Sequence, residues 1–98
     1  MEVKVVVAEF SVVPVIEGSL RPYVKAALAE IKKTGLNYEV GAMGTTVEGG
    51  LDEVIAAIKS AHEAVLTAGA GRVVTSIKID ERKEGLSIRG KLKGFREI

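Results

Sequence analysis

Apolar residues along this chain recur with two different periods, and the switches between them divide it into elements. From Val3 to Val13 the run is rich in Val with one Phe, and it stops at Pro14, which cannot donate to a sheet ladder, so the first strand is placed here. Ser19 is placed as a helix N-cap, after which Leu20, Val24, Ala27, Leu28 and Ile31 follow at helical spacing until Thr34-Gly35, where glycine supplies a left-handed C-terminal residue. Leu36 to Ala42 and Thr45 to Glu48 read as two short strands turning at Met43-Gly44, where glycine allows positive φ and Met43 fills a gap, with Gly49-Gly50 as the break before a second helix. That helix carries Leu51, Val54, Ile55, Ile58, His62, Val65 and Leu66 at three-to-four spacing, with Asp52 and Glu53 where the helix dipole favours negative charge. Gly69-Ala70-Gly71 ends it, and Arg72 to Ile79 alternates as a last strand. The predicted order is β-α-β-β-α-β.

Two β-α-β units joined in this way pack as a four-stranded antiparallel sheet with both helices on one face, an α+β, ferredoxin-like arrangement. The first strand sharpens the picture. Val6, Ala8, Phe10 and Val12 make one apolar face, but Val3, Val5 and Val7 make the other largely apolar too, as expected for a strand buried on both sides. A chain of 98 residues, read as one domain over 1–98 with a tail from about residue 84, leaves nothing obvious to cover that second face. Self-association to a dimer or tetramer is the expectation, with the tail (Ser87 to Lys93) either a short fifth strand or a drape over a neighbour.

Period two also aims the polar residues. With Val6, Ala8 and Phe10 toward the helices, Glu9 and Ser11 point to the other face; with Val47 inward, so do Thr46 and Glu48; with Ile77 and Ile79 inward, so do Ser76 and Lys78. These six form the candidate ligand-binding set. Carboxylates and hydroxyls on a mostly apolar surface suit a small heteroaromatic ligand bearing an amine or a cationic ring, although the same groups could instead pair with each other across an oligomer interface.

Charge and composition narrow the alternatives. Fourteen Lys plus Arg against thirteen Asp plus Glu leave a net charge of +1, too little to direct the chain to a polyanion. Two Tyr and two Phe are too few for a base-stacking platform, so nucleic acid is not expected as a partner. Without Cys there are no disulfides or thiolate ligands, and the one His, beside the apolar stripe of the second helix, makes a poor metal site. No signal peptide or membrane span is read, no cofactor motif appears, and no nucleophile–base set follows from spacing, so the chain is not expected to be an enzyme.

Tyr38 to Leu51, with Met43-Gly44-Thr45-Thr46-Val47-Glu48-Gly49-Gly50-Leu51 at its centre, resembles the M-G-T-x-x-E-G-x-L run of the thiamine-binding YkoF-like and MTH1187-like family, formerly domain-of-unknown-function family 77. Phe10-Ser11-Val12-Val13-Pro14, Ala61-His62-Glu63-Ala64 and Arg72 to Asp80 match its other landmarks in order. The resemblance implies a cytoplasmic, non-catalytic protein that binds thiamine or its hydroxymethylpyrimidine moiety and pairs its sheets into dimers and tetramers, a tetramer here. The better-understood YkoF-type members carry two such domains in one chain, and this chain has one. The alternative is a regulatory or scaffolding module resembling ACT domains, binding another metabolite or a protein.

Overall fold

The computed structural model describes residues 4–95. Val3, where the first strand was expected to begin, and the last three residues of the tail lie outside the described residues. The elements run β1 (Val6–Pro14), α1 (Arg21–Thr34), β2 (Asn37–Val40), β3 (Thr45–Gly49), α2 (Leu51–Thr67), β4 (Val73–Asp80) and α3 (Ile88–Leu92). The four strands make one antiparallel sheet in the order β2-β3-β1-β4, with α1 and α2 on one face: the ferredoxin-like α+β fold.

The core lies where period two and period 3.6 meet. Val6, Ala8 and Phe10 of β1 and Val47 of β3 supply the sheet side; Ala27 and Ile31 of α1 and Val54, Ala57, Ile58, Ala61 and Val65 of α2 supply the helix side. The α2 set repeats at three and four residues, and that places one stripe of the helix against the sheet. Both helices carry charges that suit their dipoles, Lys32 and Lys33 in the last turn of α1 and Asp52 and Glu53 in the first turn of α2. Gly35 closes α1 with φ +73°, the left-handed residue expected there. At the other end of α1 the cap lies one residue later than expected. Leu20 occupies the N-cap without a side-chain bond, and the Ser19 hydroxyl accepts from Arg21 N at 3.2 Å. His62 ties α2 to the sheet edge, its Nδ1 lying 2.6 Å from Thr75 Oγ1 of β4.

Two expectations for the hairpin and the tail are corrected. Gly44 does not adopt positive φ; its residue type answers a close approach instead, since a Cβ there would stand 3.0 Å from the Phe10 carbonyl oxygen and 3.3 Å from Glu9 Cγ. The second face of the sheet is not left bare by the chain itself. The tail folds back on its own sheet: Leu86 N donates to Val5 O at 2.9 Å, Ile88 N donates to Glu48 Oε2 at 2.9 Å, and Lys91 pairs with Asp80. Glu48 and Asp80 flank Val7 in the strand register, so the segment they hold crosses over Val7, which is only 6% exposed, and buries Ile88. The apolar second face of β1 is thus partly satisfied within the chain, through tertiary contacts such as that of Ile88 with Glu48, 40 residues away, that periodicity does not encode.

Two substitutions test this arrangement. Glu48→Ala leaves the Ile88 N–H without its acceptor and releases α3, so it should cost about 1–3 kcal/mol in urea unfolding and speed tryptic cleavage at Arg89 and Lys91. Unchanged stability and unchanged cleavage would show that the carboxylate does not hold the tail. Gly44→Ala pushes a methyl against rigid β1 backbone and should destabilise by about 1 kcal/mol or more, read as a fall in melting temperature.

Candidate functional site

The register converts the second face into cross-strand rungs. The first holds Asn37, Glu48, Val7 and Asp80; the second holds Glu39, Thr46, Glu9 and Lys78; the third pairs Ser11 with Ser76; the fourth pairs Val13 with Val74. All six residues expected on this face are on it, because Val6, Ala8, Phe10 and Val47 are buried against the helices and their sequence neighbours must face away. Their surroundings differ, however. Glu48 lies at the foot of the tail and is engaged on both oxygens, accepting from Asn37 Nδ2 at 2.5 Å and from Ile88 N at 2.9 Å. Its place is structural before it is anything else.

The other five come together. Glu9 lies directly between Thr46 and Lys78, and Ser11 and Ser76 occupy the adjoining rung. Glu9, Ser11, Ser76 and Lys78 line a depression of about 150 Å³, with Met43 at its rim. Among the described residues neither Glu9 nor Lys78 is committed to an ion pair or a side-chain hydrogen bond, so a carboxylate, an ammonium and two hydroxyls remain available around one shallow hollow, with the Thr46 hydroxyl in the rung beside Glu9. Such a set can balance a cationic ring, accept from an amine and orient a polar substituent.

Met43 was expected to fill a gap beside the turn; it is 91% exposed and stands over the depression instead. Asn37 and Asp80 were not singled out from the sequence. Alternation places both on the same face, but their role of holding Glu48 and Lys91 depends on where the tail lands. Two larger hollows, of about 800 and 670 Å³, flank α3. In the larger, Asp80 is paired with Lys91 and Arg82 with Glu84. Among the described residues no group of three or more His, Asp or Glu is placed to hold a metal ion, and no helix is long and apolar enough to cross a membrane.

Known proteins resemble this chain over nearly all of its length. The chain is 48% identical over 95 residues to a UPF0045 protein of Methanocaldococcus jannaschii, covering 95% of this chain and 94% of that one. It is 43% identical over 96 residues to a UPF0045 protein of Methanothermobacter thermautotrophicus, covering 94% and 97%. Among solved structures it is similar to a DUF77 domain of unknown function from Bacillus cereus, with a TM-score of 0.91 at 40% identity over 96% of this chain and 92% of that one. A candidate thiamine biosynthesis/salvage protein from Thermotoga maritima superposes with a TM-score of 0.85 at 30% identity, covering 94% and 99%. The family model described as thiamine-binding protein matches residues 8–96, from the third residue of β1 to beyond α3, and the chain belongs to that family.

Proposed function

We propose that this protein binds thiamine or its hydroxymethylpyrimidine moiety in the cytoplasm, without catalysing a reaction, and serves thiamine salvage, transport or homeostasis. The observation that carries the reading is the uncommitted polar set on the second face, Thr46–Glu9–Lys78 in one rung and Ser11–Ser76 in the next. Glu9 supplies the negative charge that a thiazolium requires, and the hydroxyls of Ser11, Thr46 and Ser76 fix its orientation. Lys78, on a flexible stem beside Glu9, donates to ligand oxygen when the site is filled. Glu48 belongs to the same face but contributes by anchoring the tail.

Self-association is part of the proposal. A hollow of about 150 Å³ is smaller than the 300–1,000 Å³ typical of small-molecule sites, so one copy offers half an enclosure. Val13 and Val74, paired on the same face and each close to half exposed, extend an apolar margin beside it. Apposing the sheets of two copies would cover that margin and close the hollow from above.

Isothermal titration of the purified protein against thiamine, with light scattering on the same sample, tests both parts. The expected result is an oligomer with a Kd in the micromolar range or tighter, about −8 kcal/mol. Glu9→Gln should weaken thiamine by roughly tenfold or more and Ser11→Ala by a few-fold, with melting temperature unchanged. Unaltered affinity in both variants would remove these residues from the site. A well-formed oligomer giving no heat would favour the regulatory or scaffolding reading.

A further inference from the structure

The strands of the sheet differ in length, and the difference leaves an opening. β1 pairs with β3 only as far as Phe10, opposite Thr45, but continues to Pro14 beside β4. Past Phe10, therefore, Ser11 to Val13 have no strand on their β3 side, where the chain instead turns through Gly41 to Gly44, closed by Gly41 N donating to Gly44 O at 2.8 Å. Neighbouring residues of a strand turn their N–H and C=O to opposite sides, so at least one residue of Ser11–Val13 presents a donor and an acceptor side by side into this notch.

The notch opens on the helix side into a crevice of about 360 Å³, within the range of small-molecule sites. Its walls are apolar: Val12, Leu20, Val24, Leu28, Val40 and Met43. On the helix face, one polar side chain among the lining residues breaks the pattern. Thr45 lies on the helix face opposite Phe10, is 7% exposed, lines the crevice, and makes no side-chain hydrogen bond among the described residues. No fully enclosed side-chain polar atom among those residues lacks a partner, so the Thr45 hydroxyl opens onto the crevice rather than into packed core. A hydroxyl that opens onto an apolar crevice, beside an unpaired strand edge, offers hydrogen bonds to an occupant of that crevice.

We propose that this crevice seats a flat, uncharged heteroaromatic ring that carries a donor and an acceptor on one edge, an aminopyrimidine being such a ring. The ring lies between the apolar walls, its donor–acceptor edge meets the free edge of β1, and a substituent reaches Thr45. The crevice and the hollow beside Glu9 share Phe10, Ser11 and Met43, so a ligand with an uncharged ring and a linked cationic ring can occupy both, one on each side of Ser11. The assignment rests on the binding reading above and divides that ligand between two sites.

The test uses two probes on the full chain: thiamine, which carries both rings, and 4-amino-5-hydroxymethyl-2-methylpyrimidine, which carries only the uncharged one. Thr45→Val should weaken both by about threefold to tenfold. Val24→Phe, which fills the crevice, should weaken both more than tenfold. Glu9→Gln should weaken thiamine while leaving the pyrimidine within about twofold. Without any substitution, titrating the pyrimidine into isotopically labelled protein should shift the amide signals of Ser11 to Val13 and Gly41 to Thr45. Shifts centred instead on Thr46 and Lys78, or a pyrimidine affinity that falls in Glu9→Gln but not in Thr45→Val, would overturn the crevice while leaving the binding reading intact. If the unmodified protein binds neither probe, the binding reading fails and the crevice assignment with it.

Discussion

β1 is flanked by a strand on each side and must therefore satisfy two faces at once, and the rest of the molecule is arranged around how it does so. On the helix side its demand is simple: Val6, Ala8 and Phe10 are all nearly sealed, and α1 and α2 supply the aliphatic partners that close-packing requires. On the other side the same strand changes character along its length, from Val7 through Glu9 and Ser11 to Val13. No single cover suits that gradient. The chain covers the Val7 end itself, by folding its tail across, and leaves the Glu9–Ser11 stretch to whatever binds there. The division between what is structural and what is available for binding thus follows from a succession of four alternate side chains on one strand.

Most of the architecture was legible in the sequence because it follows from short-range periodicity. A register slip of one residue would turn Val6, Ala8 and Phe10 to the wrong face, so alternation fixes which residues of β1, β3 and β4 share a surface once the strands pair. The six polar residues expected on the second face are there for that reason. What alternation could not supply was the third partner. Glu48 has the same parity and the same chemistry as Glu9, yet it is engaged by Ile88, 40 residues downstream, while Glu9 is not. The distinction is created by the path of a tail whose own signal, Leu86, Ile88 and Leu92 among charged residues, is too loose to tell a strand from a single helical turn.

Gly44 illustrates a different limit. Its residue type was read as a conformational need, and the backbone there is ordinary; the need is steric, set by the Phe10 carbonyl 3.0 Å from where a Cβ would stand. Sequence names the absence of a side chain but not which of its two benefits is in use. Gly44 also lines the crevice, so a feature that reads locally as turn chemistry belongs physically to the shape of a cavity.

The overhang of β1 past the start of β3 also separates two kinds of inheritance. Residues within the paired ladder are bound to one another by register, and a deletion in any of them would displace every rung that follows. The four residues from Gly41 to Gly44 sit outside the ladder, so their number can grow or shrink without moving Phe10 off Thr45. Descendants of such a chain can therefore resize the chamber, and with it the menu of compounds admitted, by editing a hairpin tip while the sheet beneath stays as it was.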